Sequence, residues 1–70
     1  MTYIKNFFFN GDEFYVKNYI TINEMLNYFN FENNFFVIEY NGIICHEKEW
    51  PTIRINSNDK IELITIVGGG

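Results

Sequence analysis

Apolar and polar positions alternate with a period of two near both ends of the chain and switch to a helical period between them. Tyr3–Phe9 is β-prone, with Phe7 and Phe9 on one face. Asn10-Gly11 follows, and then a second β-prone run, Glu13–Lys17. An Asn-Gly pair between two such runs marks a hairpin, because a type I′ turn needs positive φ at both central residues. The pattern predicts strands at about 2–9 and 13–18. Phe14 and Val16 share one face of the second strand, and Tyr15 and Lys17 the other. A helix comes next. Thr21 and Glu24 have capping-box spacing. Ile22, Met25, Leu26 and Phe29 fall at i, i+3, i+4 and i+7, which makes one apolar stripe. Asn23, Asn27 and Asn30 take the wet side and the end, and Asn33-Asn34 reads as the exit loop.

A second Asn-Gly, Asn41-Gly42, separates Phe35–Tyr40 from Ile43–Cys45. Phe36, Ile38 and Tyr40 are expected to face the core, and Glu39 water. Glu47–Trp50 fits a short helical turn before Pro51, with Trp50 as a lid on the core. Ser57-Asn58-Asp59 is turn chemistry. Lys60–Thr65 reads as the final strand, Ile61 and Leu63 inward and Glu62 outward. The order strand, strand, helix, strand, strand, short turn, strand predicts an α+β fold. The expected form is a β-grasp (ubiquitin-like) roll, a mixed sheet of about five strands with one helix packed on it. Residues 1–66 form the expected domain, and residues 67–70 a flexible glycine tail.

Seventy residues allow one small core. Aromatic residues make up 20 % of the chain, so bulky side chains carry the packing. A net charge of −4 argues against nucleic acid as a partner, because phosphate neutralisation needs a basic surface. The same charge suits an acidic carrier docking on basic surfaces. One cysteine, Cys45, excludes an internal disulfide and a multi-thiolate zinc site. No apolar run approaches a membrane span, and the N-terminus lacks signal- or transit-peptide character. Neither a metal nor a membrane is therefore expected. Cys45 and His46 are strand neighbours that project to opposite faces, which disfavours a thiol–imidazole pair. No other pair of titratable groups has a spacing suited to acid–base work, so an enzyme is not expected.

The sequence closes Ile66-Val67-Gly68-Gly69-Gly70. Glycines without Cβ make a strand thin enough to thread a narrow tunnel into another protein. There the Gly70 carboxylate becomes an electrophile once adenylation gives it a leaving group, and a sulfur or amine nucleophile then takes the acyl group.

Taken together, these residues resemble the ThiS family, the sulfur carrier proteins of thiamine-thiazole biosynthesis. The resemblance rests on the hairpin at Asn10-Gly11, the Thr21-led helix and Asn41-Gly42 followed by an acidic residue before Trp50. Asp59-Lys60-Ile61-Glu62-Leu63 and Val67-Gly68-Gly69-Gly70 complete it. Cys45-His46-Glu47 departs from the Val-Pro-Arg more usual in the family. The resemblance implies that a ThiF-type enzyme adenylates Gly70 using ATP and magnesium. A cysteine desulfurase system then supplies sulfur to form a thiocarboxylate, and a ThiG-type thiazole synthase receives it. The chain itself needs no cofactor. The alternatives are a carrier of the molybdopterin-synthase small-subunit type, which shares the fold and the di-glycine end, and a ubiquitin-like interaction module.

A carrier must dock on its enzymes. Phe8, Ile64 and Ile66 are expected on the sheet face opposite the helix, and an exposed apolar patch there is a docking surface. The abundance of Asn (11), Ile (11) and Phe (8) with no Ala suggests an AT-rich gene. Such a gene fits a plastid origin, so the expected location is the cytoplasm or the plastid stroma.

Overall fold

A computed structural model describes residues 4–31 and 35–66. The first hairpin pairs β1 (Lys5–Phe9) antiparallel with β2 (Asp12–Val16). Asn10 and Gly11 take φ of 52° and 86°, as a type I′ turn requires. Both strands are shorter than the sequence pattern predicts. β2 stops at Val16, and Lys17-Asn18 bends away toward Tyr19. The Lys5 ammonium sits 3.5 Å from the centre of the Tyr19 ring and ties this bend to the start of β1. Positions 2 and 3 lie outside the described residues.

Helix α1 (Ile22–Tyr28) starts at the expected capping box. Thr21 Oγ1 accepts from the Glu24 N–H at 3.1 Å, and Glu24 Oε1 accepts from the Thr21 N–H at 2.9 Å. Its end is also fixed. Asn30 adopts φ 62°, the Asn30 N–H donates to Asn27 and the Phe31 N–H to Leu26. That pairing satisfies the last carbonyls, with asparagine in the left-handed position usually given to glycine. Asn33 and Asn34 lie outside the described residues.

β3 (Phe36–Tyr40) and β4 (Ile43–Cys45) make the second hairpin around Asn41 and Gly42, with φ of 50° and 86°. The short helical turn is a 3-10 helix, Glu47–Thr52, which runs through Pro51 instead of stopping before it. The 3-10 φ range coincides with the fixed proline φ, so the ring meets no steric conflict there. β5 (Asp59–Thr65) completes a five-stranded sheet ordered β2-β1-β5-β3-β4. Only β1 and β5 are parallel, and the other neighbours are antiparallel.

The core lies between the sheet and α1. Phe7, Phe9, Ile38 and Ile61 meet Ile22, Met25 and Leu26, and Trp50 closes one end as expected. Phe29, just past the helix, stacks on Phe9 at 5.2 Å and meets Phe14 edge-on at 5.1 Å. Each such pair contributes about 0.5–1.5 kcal/mol beyond its buried area. Ile55, which no periodicity marks, is 1 % exposed. It is placed by a short antiparallel contact in which the Ile22 N–H donates to Ile53 and the Ile55 N–H to Ile20.

Candidate functional site

β5 is the central strand and leads toward the glycine tail. Its last pairs with β3 are Val37–Ile64 and Phe36–Thr65, and the Ile66 N–H then donates to the Phe35 carbonyl at 2.8 Å. The chain is therefore held by the sheet as far as Ile66. Gly68, Gly69 and Gly70 lie outside the described residues. Beside Ile66, a hollow of about 510 Å3 is lined by Phe31, Phe35, Phe36 and Leu63. Phe35 is 82 % exposed there.

The three residues expected on the open sheet face are placed as follows. Phe8 is half-buried on β1, between Glu13 of β2 and Lys60 of β5. Ile64 is exposed on β5 opposite Val37. Strand alternation puts both on the face away from α1, but Lys60 and Glu62 come between them along β5. Ile66 lies past the end of the strand, beside the hollow, and is not gathered with Phe8.

Asp59 is the residue whose role the sequence did not mark. It is a buried carboxylate, not a turn residue. It accepts from the Tyr40 hydroxyl, from Asn41 Nδ2 at 3.1 Å and from the Asn56 N–H at 2.6 Å. Asn41 in turn accepts from the Lys60 N–H at 2.8 Å. The network binds the β3–β4 turn to the start of β5. Burial, and then the hydrogen bond to Asp59 and its charge, push the Tyr40 phenol up to about 12. All of Asp59's partners are structural groups of its own domain.

Cys45 is buried and donates weakly to the Ile43 carbonyl at 3.6 Å, while His46 is exposed. Burial and then the Glu49 charge raise the thiol pKa, the opposite of what a nucleophile needs. Among the described residues, no group of three His, Cys, Asp or Glu side chains converges as a metal site. Among the described residues, no helix is long and apolar enough to cross a membrane.

The ThiS family model matches residues 6–70, nearly the whole chain and through the three final glycines. The chain belongs to the ThiS family. A structure of the thiamine biosynthesis protein ThiS from Geobacter metallireducens superposes with a TM-score of 0.80. That match covers 93 % of this chain and 99 % of the other at 20 % identity, which establishes a shared ThiS-type β-grasp fold. Two relatives carry the description uncharacterized protein ycf40. The one from Trieres chinensis is 53 % identical over 94 % of this chain and 90 % of its own length. The one from Porphyra purpurea is 38 % identical over 87 % and 86 %.

Proposed function

We propose that this ThiS-family chain is a sulfur carrier, a co-substrate and not a catalyst. Its body would be residues 1–66 and its working end residues 67–70. The carrying observation is the family match that runs through Gly68-Gly69-Gly70 on a body of ThiS fold. In this reading the Gly70 carboxylate attacks ATP on a ThiF-type enzyme, releasing pyrophosphate and leaving an acyl-adenylate. The persulfide that a desulfurase forms from cysteine then displaces AMP to give an acyl disulfide, a thiol reductant cleaves its S–S bond to free the thiocarboxylate, and this passes to a thiazole synthase. ATP and magnesium are substrate and metal of the activating enzyme. The likeness to a thiamine biosynthesis protein from Geobacter metallireducens supports thiamine formation as the destination.

The sheet that holds the chain through Ile66 suits this task. A fixed root delivers a thin end to a constant depth in a partner's site, which reduces the ordering that docking must accomplish. Phe8, Ile64 and Ile66 would contribute apolar contacts to that docking. The relatives from Trieres chinensis, Porphyra purpurea and Pyropia yezoensis share the ycf designation given to plastid-encoded genes, which supports a plastid location.

The test is the intact mass of the protein after incubation with its ThiF-type enzyme, ATP, cysteine and a desulfurase. Exchange of one oxygen for sulfur adds about 16 Da to the acyl terminus. An unchanged mass, with the enzyme shown to be competent on another carrier, refutes the proposal.

A further inference from the structure

The strand order leaves β2 at one edge of the sheet. Its backbone is only half used. The Asn10 N–H donates to Ile61 and the Asn6 carbonyl accepts from Asn58, so the even-numbered residues of β1 point their backbone groups at β5. Lys5, Phe7 and Phe9 therefore turn theirs to β2, where Val16, Phe14 and Asp12 meet them. The N–H and C=O groups of Glu13 and Tyr15 are left facing outward, a template for one more strand.

Beside this edge a hollow of about 420 Å3 runs between β2 and α1, lined by Phe14, Val16, Ile20, Met25 and Phe29. Tyr15 and Tyr28, exposed by 65 % and 81 %, flank it. An added strand would pair its backbone with the edge and lay alternate side chains over the hollow.

The charges along β2 decide which strand fits. Asp12 and Glu13 stand at its start, and Lys17 follows its end. Consider an antiparallel copy of the same strand, related by a two-fold axis at Tyr15. It sets Glu13 opposite the partner's Lys17, and Lys17 opposite the partner's Glu13. On the helix side it sets Phe14 opposite the partner's Val16, and Val16 opposite the partner's Phe14, over the hollow. The outward N–H and C=O of Tyr15 exchange two hydrogen bonds with the partner's Tyr15. Asp12 meets the partner's Asn18, which is neutral. No like charges are opposed, and the pairing is favourable on both faces. The other edge strand, β4, has three residues and no charge. Pairing β2 with the β4 of a second chain would leave both ends open and grow without closing.

We propose that the chain forms a two-fold dimer through its β2 edges, joining the two sheets into one. β1 separates β2 from β5, so Ile66 is not part of the contact. The inference goes beyond the carrier reading and does not rest on it.

Sedimentation equilibrium of the full chain, over a concentration series at physiological ionic strength, tests it. Such salt screens the repulsion between two chains of net charge −4 beyond about 8 Å. The wild type should reach twice the monomer mass. Lys17→Glu opposes like charges at both ends of the contact and should weaken dimerisation about tenfold or more. Lys48→Glu makes the same charge change on the 3-10 helix, away from this edge, and should leave dimerisation unchanged. The double variant Glu13→Lys with Lys17→Glu keeps the net charge and reverses both pairs. It should recover most of the loss, although it gives up the exposed bond from Asn6 Nδ2 to Glu13. Such recovery separates a broken contact from a broken fold. The proposal is overturned by a wild type that stays monomeric up to about 1 mM. Equal effects of Lys17→Glu and Lys48→Glu, failure of the double variant to recover, or growth beyond a dimer overturns it equally.

Discussion

Replacing Asp59 with alanine tests whether a buried carboxylate, and not the hydrophobic core alone, fixes the β3–β5 end of the sheet. The substitution leaves the Tyr40 hydroxyl, the Asn41 amide and the Asn56 N–H without their acceptor. Hydrogen bonds to a charged group contribute about 1.5–3 kcal/mol each. Tyr40 is only partly buried and Asn41 and Asn56 are exposed, so water recovers more than half of that sum. The net cost is about 3 kcal/mol, of the same order as the whole stability of a small domain. For a domain of this size it corresponds to a fall of about 12–24 °C in Tm. Thermal and urea unfolding followed by circular dichroism measure it directly.

Asp59→Asn keeps the shape and one acceptor but loses the charge, so it should cost about half as much. A double-mutant cycle with Tyr40→Phe should return a coupling of about 1 kcal/mol, because the two groups share one hydrogen bond. If Asp59→Ala costs under about 0.5 kcal/mol, the level of an ordinary surface change, and adds simply to Tyr40→Phe, then Asp59 is a bystander and the argument is wrong.

The same pair predicts a pH dependence. Tyr40 has its folded pKa raised from the ordinary phenol value of about 10 to about 12, so its contribution is complete below pH 10 and is lost as pH rises toward 12. The difference in stability between wild type and Tyr40→Phe should therefore be constant up to pH 10 and shrink above it, and a difference that grows there would contradict the assignment. Ile55→Ala removes a side chain that is 1 % exposed and should cost about 2–5 kcal/mol by unfolding titration. A cost under 1 kcal/mol would mean that the 53–55 segment is not part of the core.

Local sequence signals accounted for the elements whose causes are local. Both Asn-Gly turns, the Thr21–Glu24 cap and the inward positions of β3 and β5 arise from contacts within a few residues, and periodicity exposes them. Ile55 and Asp59 escaped because they sit in a segment without period, and their partners are as many as 35 residues away in the chain. The end of the second strand was overestimated because the chain bends at Lys17-Asn18, where Lys5 meets the Tyr19 ring across the bend.

By itself the sequence determined the kinds and order of the elements, most of the core and the family, since these follow from side-chain periodicity, turn chemistry and the glycine-rich close. Tertiary structure decided the register. A shift of two residues between β3 and β5 would keep every side chain on its proper face and leave the apolar pattern intact. Only the folded sheet sets Glu39 against Glu62 and brings Asp59 beneath Tyr40. Those encounters depend on which strands become neighbours, and that is fixed by how the whole apolar surface closes on itself.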